Sequence, residues 1–141
     1  MYNTYMPTIP EILKQTSTAE TQEARIAVLR KFNSTPLKHL LRYAYDPMVA
    51  FDAKVPSYKM SNMPEGHHIS SLYQEHKRLY LFLRGAACPI RRKNQILLQI
   101  LELMDPVESQ FLEDMFHKDM SRYPGVDIDL INKAFPGCIP T

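Results

Sequence analysis

Two groups of basic residues in this sequence stand where they would meet phosphate. Arg91, Arg92 and Lys93 follow Pro89 in what reads as the first turn of a helix. Backbone N–H groups in a first turn point outward and favour an anion, whereas cations there oppose the helix dipole. That small cost is recovered when a phosphate binds between the amides and the cations. The same three residues can equally form a solvated basic face. The second group is Lys118, Arg122 and Gly125, with Lys133 beyond, across a helix end, a glycine turn and a new helix start. Such a turn exposes amides, and Gly125 would let the backbone approach a nucleic-acid groove closely. An ordinary helix–helix corner is the competing reading.

Other chemistries find less support. His67 and His68 are adjacent and cannot face one point from a helix, and His39, His76 and His117 stand apart. Neither Cys88 nor Cys138 lies within a few residues of a histidine, so the clustered spacing of a zinc site is missing and no metal is expected. The sequence has no G-x-S-x-G and no phosphate-cradling glycine loop, with four glycines in all. Cys88 at a helix start would gain thiolate character from the dipole, but no base accompanies it. Glu108, Glu113 and Asp114 run along one helix and read as a solvated face. No catalytic residue and no cofactor are expected.

These residues need helices to position them. Thr8-Ile9-Pro10-Glu11 is a capping box with proline in the first turn. Ser17-Thr18-Ala19-Glu20 reads as a second start, opening a segment with Ala24, Ile26, Ala27 and Leu29 at helical spacing. Ser34-Thr35-Pro36 opens a third helix with Leu37, Leu40, Leu41 and Tyr45 on one side, stopping at Asp46-Pro47. A helical turn through Val49, Ala50 and Phe51 is expected next. Residues 53–67 carry no stripe and read as the longest irregular connection, of a length that tends to be functional or mobile. Ser70 or Ser71 starts a helix with Leu72, Leu79, Leu81 and Leu83. Pro89 then opens the most apolar one, with Ile96, Leu97, Ile100, Leu101 and Leu103. Asp105-Pro106-Val107-Glu108 outlines another capping box, leading into Phe111, Leu112, Met115 and Phe116. DLINKAF forms a last short helix. No strand pattern appears, which predicts a compact all-α, multi-helix domain over 1–141.

Composition agrees with one core. The 141 residues suit a single domain, and 45% hydrophobic content is too high for a disordered chain. The eleven prolines punctuate helices. A net charge of +2 means that nucleic-acid contact must come from local clustering. The cysteines show no CxxC spacing and read as free thiols of a reducing compartment. With no secretory signal pattern and no apolar run of membrane-spanning length, a cytoplasmic protein without membrane contact is expected.

The stretch FLEDMFHKDMSRYPGVDIDLINKAFPGCIP resembles the end of the N-terminal helical DNA-binding domain of ATP-dependent DNA ligases, most closely those of T-even-type bacteriophages. In that family a helix ends in a basic residue, Asp and a hydrophobic residue, as in Lys118-Asp119-Met120. A glycine turn follows, here at Gly125, then a short helix and the exit seen in Asn132-Lys133-Ala134-Phe135-Pro136-Gly137-Cys138-Ile139-Pro140. The early segment is similar too, with Ile12-Leu13, a helix ending near Lys31, and Leu40-Leu41-Arg42-Tyr43. The resemblance spans most of the chain and is weakest over 46–68. In one departure the turn between Met120 and Gly125 is longer than in the family, which alters where Arg122 and Tyr123 fall. In another, the lysine–x–Asp–Gly motif that carries the adenylate is absent, and the chain is expected to stop where the catalytic domain would begin. The resemblance implies a domain that grips double-stranded DNA through the minor groove and phosphates.

The resulting expectation is a non-catalytic, phage-type DNA-binding accessory protein, contacting duplex through Lys118, Arg122, Gly125 and Lys133 and through Arg91, Arg92 and Lys93. Tyr123 would lie against sugars or cover the core. The alternative is a protein-interaction module that has lost DNA binding and docks a phage or host replication or transcription protein, with the 53–67 loop around Tyr58 as its surface.

Overall fold

A computed structural model describes residues 6–64 and 68–140. Glu65, Gly66 and His67 of the irregular connection lie outside the described residues. Within them every regular element is helical: α1 (Ile9–Thr18), α2 (Gln22–Lys31), α3 (Thr35–Tyr45), α4 (Leu72–Glu75), a 3-10 helix (His76–Phe82), α5 (Ile90–Leu103), α6 (Pro106–Phe116) and α7 (Ile128–Ala134). The all-α fold read from the sequence is the fold observed. No helix among the described residues is long and apolar enough to cross a membrane.

The caps act largely where side-chain chemistry places them. The Thr8 amide donates to Glu11 Oε1 at 2.8 Å, and the Glu11 amide donates to Thr8 Oγ1 at 3.3 Å. Ser34 caps α3 through the Leu37 amide, and Asp127 caps α7 through the Leu130 amide. The expected start at Ser17–Glu20 is corrected: α1 continues to Thr18, and Thr21 caps α2 by accepting from the Ala24 amide at 3.0 Å. Thr16 and Thr18 spend their hydroxyls on the Ile12 and Gln15 carbonyls within α1, so the free hydroxyl of Thr21 caps the next helix.

Two further expectations change. Val49–Phe51 forms no helical turn; Phe51 pairs with Leu83 in an isolated antiparallel bridge. The Asp52 amide donates to the Phe82 carbonyl at 2.8 Å and the Arg84 amide to the Ala50 carbonyl at 2.9 Å. The helix after Ser71 tightens after one α turn into the 3-10 helix. Residues three apart eclipse in that geometry, so His76, Leu79 and Phe82 form its buried face.

The core gathers Leu37, Leu40 and Leu41 of α3, Leu97 and Leu101 of α5, and Phe111, Leu112 and Met115 of α6. Each large side chain removed from water contributes about 1.5–3 kcal/mol. Helix α6 lies centrally, packed on α1, α3 and α5, while α2 carries α7. A short turn at Met104–Asp105 folds α5 and α6 into a hairpin, fastened by a buried bond from Ser109 Oγ to the Leu101 carbonyl at 2.8 Å.

Candidate nucleic-acid interface

Two members of the C-terminal basic group, Lys118 and Gly125 but not Arg122, line a groove of about 720 Å³ between the α3 exit and the turn after α6. Its walls include Tyr45, Phe51, Arg84, Lys118, Ser121 and Gly125. Lys118 stands at the left-handed residue that ends α6, with φ 55°. Its amide donates to the Met115 carbonyl and that of Asp119 to the Asp114 carbonyl, the paired bonds of a Schellman turn that usually employs glycine. Lysine holds this place because its ammonium donates to the Tyr43 and Asp46 carbonyls and lies 5.5 Å from the Phe51 ring centre. Burial lowers its pKa, partly opposed by Asp46. The amine expected to reach for phosphate therefore caps the C-terminus of α3.

Arg122 donates through Nε to Asp114 Oδ2 at 2.9 Å, yet its side chain remains about half exposed, and a guanidinium has further donors to offer. Gly125 has φ 86°, and a Cβ there would fall 2.6 Å from the Arg25 guanidinium carbon. The glycine is thus required by its backbone, and a side chain there would push aside the Arg25 guanidinium, which no local pattern connects to this turn. Lys133 pairs with Asp129 at 3.1 Å and is not among the groove residues. Tyr123 is 5% exposed and packs toward Phe111, so it covers the core; burial and nearby Asp114 push its pKa up to about 12.

In the other basic group Lys93 is corrected. It is buried, and its amine donates to the Asp52 carbonyl at 3.0 Å, with Asp52 Oδ2 3.9 Å away. Arg91 and Arg92 are exposed and make no ion pair among the described residues. The Lys93 anchor has a further effect. Residues 50–52 touch Lys93 on one side, Arg84 through the bridge, and Lys118 through the Phe51 ring. Lys93 and Lys118, one from each basic group, therefore flank one short segment. Arg84, exposed at the groove and missed in the sequence, bonds to Ala50 of that segment. The signal for it was long-range pairing, which no local pattern carries.

Groups set aside from the sequence also acquire partners. His39 and His76 bring their Nδ1 atoms to 2.8 Å. Glu108 and Asp114 are buried, so the expected solvated acidic face of α6 is corrected. Glu108 does not close a capping box either: it accepts from the Leu72 amide at 3.2 Å, and burial raises its pKa to about 7. Glu113 accepts from the Tyr58 hydroxyl at 2.7 Å, which fixes the residue expected to centre a docking loop. The described residues hold no group of three or more His, Cys, Asp and Glu placed to bind a metal, and both cysteines are free thiols.

The profile of a family of unknown function (DUF6433) matches residues 12–122. The chain belongs to that family. The DUF6433 match takes in the α3 exit, the Phe51–Leu83 bridge, Arg84, Arg91, Arg92, Lys118 and Arg122, and ends before Gly125 and α7. No curated protein matches the chain.

Proposed function

We propose that this protein is a non-catalytic DNA-binding accessory factor that holds duplex through phosphate contacts and its minor groove. The observation that carries the reading is that one lysine of each basic group, Lys93 and Lys118, meets residues 50–52, beside a groove of about 720 Å³ that exposed Arg84 also lines. The likeness of residues 111–140 to the helical domain of bacteriophage ligases supports the same reading. Arg84, Arg91 and Arg92 supply the mobile charge, Arg122 adds a partly engaged guanidinium, and the Lys118 and Gly125 backbone shapes the wall.

Phosphate contacts make affinity fall with salt, with little dependence on sequence. Fluorescence titration of nicked and intact duplexes at about 50 mM salt, where such contacts are strong, should therefore show binding. Arg84→Ala with Arg91→Ala and Arg92→Ala should weaken binding to all sequences alike and reduce the salt slope by about one for each phosphate no longer neutralised. A folded protein that ignores duplex at that salt ends the proposal.

A further inference from the structure

The opposite end of the α5–α6 hairpin has a different character. Met6, Met63 and Val107 are exposed around a depression of about 620 Å³ beside the start of α6. Met60, Ile69 and Leu103 are exposed around an adjoining one of about 280 Å³, and the two share Ser61, Asn62 and Met63. A bond between Ser61 Oγ and His68 Nδ1 at 3.0 Å, and contact of His68 Nε2 with Asp105 Oδ2 at 3.4 Å, hold this stretch against the hairpin turn.

Carboxylates surround the apolar surface. Glu11, Asp105 and Glu108 line the first depression and Glu102 the second, against a single lysine, Lys59. Glu102 and Asp105 are held by the Lys59 and Val107 amides, Asp105 also meets His68, and among the described residues no lysine or arginine side chain pairs with either; Glu108 is buried and accepts from the Leu72 amide. Exposed apolar side chains set beside partly exposed carboxylates disfavour nucleic acid and anionic lipid alike. They complement a helix with one apolar and one cationic face, and methionine adapts its shape to such a guest.

We infer that this end of the hairpin docks a basic amphipathic helix of a protein partner. The inference does not depend on DNA binding, because the basic groove lies at the other end of α6.

The test uses the full chain carrying 13C-methyl methionine and two synthetic 18-residue amphipathic peptides, one of Leu and Lys and one of Leu and Glu. The Leu–Lys peptide should shift the Met6, Met60 and Met63 methyl signals saturably and leave exposed Met48 in place, and the Leu–Glu peptide should shift none. Met63→Ser with Val107→Ser changes exposed positions, and the variant's melting curve verifies folding. It should weaken the complex by about tenfold or more, as removal of central anchors does. Shifts that include Met48 equally, no shift at about 1 mM peptide, where even weak complexes form, or the same methyl shifts with phosphatidylglycerol vesicles would overturn the inference.

Discussion

Lys118 carries a conformational cost that its own ammonium offsets. A non-glycine residue in the left-handed region costs on the order of 1 kcal/mol, while charge-assisted bonds to the Tyr43 and Asp46 carbonyls contribute about 1.5–3 kcal/mol each. Lys118→Ala should therefore destabilise the fold by about 1–3 kcal/mol in urea titration, given that water replaces part of what is removed. Lys118→Gly should cost less, since it relieves the backbone. DNA affinity of the folded variant should change less than for Arg84→Ala. Glu108 is a second case in which burial decides the role. Its folded pKa of about 7 lies above the unfolded value of 4.5 because burial outweighs the Leu72 amide, with Asp105 and Glu11 adding to the rise. Its contribution is thus fully present below pH 4.5 and is lost as pH rises through about 7. Glu108→Gln keeps an acceptor for that amide and should be neutral near the acid limit but stabilise by up to about 3 kcal/mol at pH 8, read by urea titration across pH.

Between elements, the His39–His76 pair ties α3 to the start of the 3-10 helix. One Nδ1 must donate and the other accept, so both rings cannot carry a proton there. Burial lowers both pKa values; His76 and Arg42 add to the effect at His39, and Lys77 at His76. Both groups therefore stabilise the fold above their unfolded value of 6.5 and lose that contribution as pH falls through their lower folded values. With the opposing Glu108 slope removed by Glu108→Gln, unfolding midpoints should drop between pH 7.5 and 5. Adding His76→Gln to that variant should flatten the slope. An undiminished slope in the variant would remove the pair as its cause. The sequence could have shown this 3-10 face, because positions 76, 79 and 82 repeat every three residues. The eye expects a leucine stripe and passes over a histidine within it.

Across the whole molecule, most helices, most caps and the α5–α6 core were legible because each depends on residues within a turn or two. The site was legible only in part. Arg91 and Arg92 are exposed, but Lys93 and Lys118 are tethered to backbone carbonyls 41 and 72–75 residues away along the chain. Sequence proximity of cations conveys charge density and says nothing of which amine the fold consumes. Arg84 and Arg25 escaped notice for the converse reason: each stands alone in the sequence and finds its neighbours through tertiary packing.

The long connection divides the chain near its middle, yet its two flanks are interwoven. Helices α1 and α3 rest on α6, α2 carries α7, and the strand-like contact at Phe51 and Leu83 crosses the divide. Neither half owns a complete core. A protease cutting between residues 53 and 64 would sever the polypeptide without separating its pieces, and the fragments would remain a complementing pair whose integrity depends on concentration. For a cell or a laboratory, this protein is therefore one cooperative object that can be made, cut or split as two.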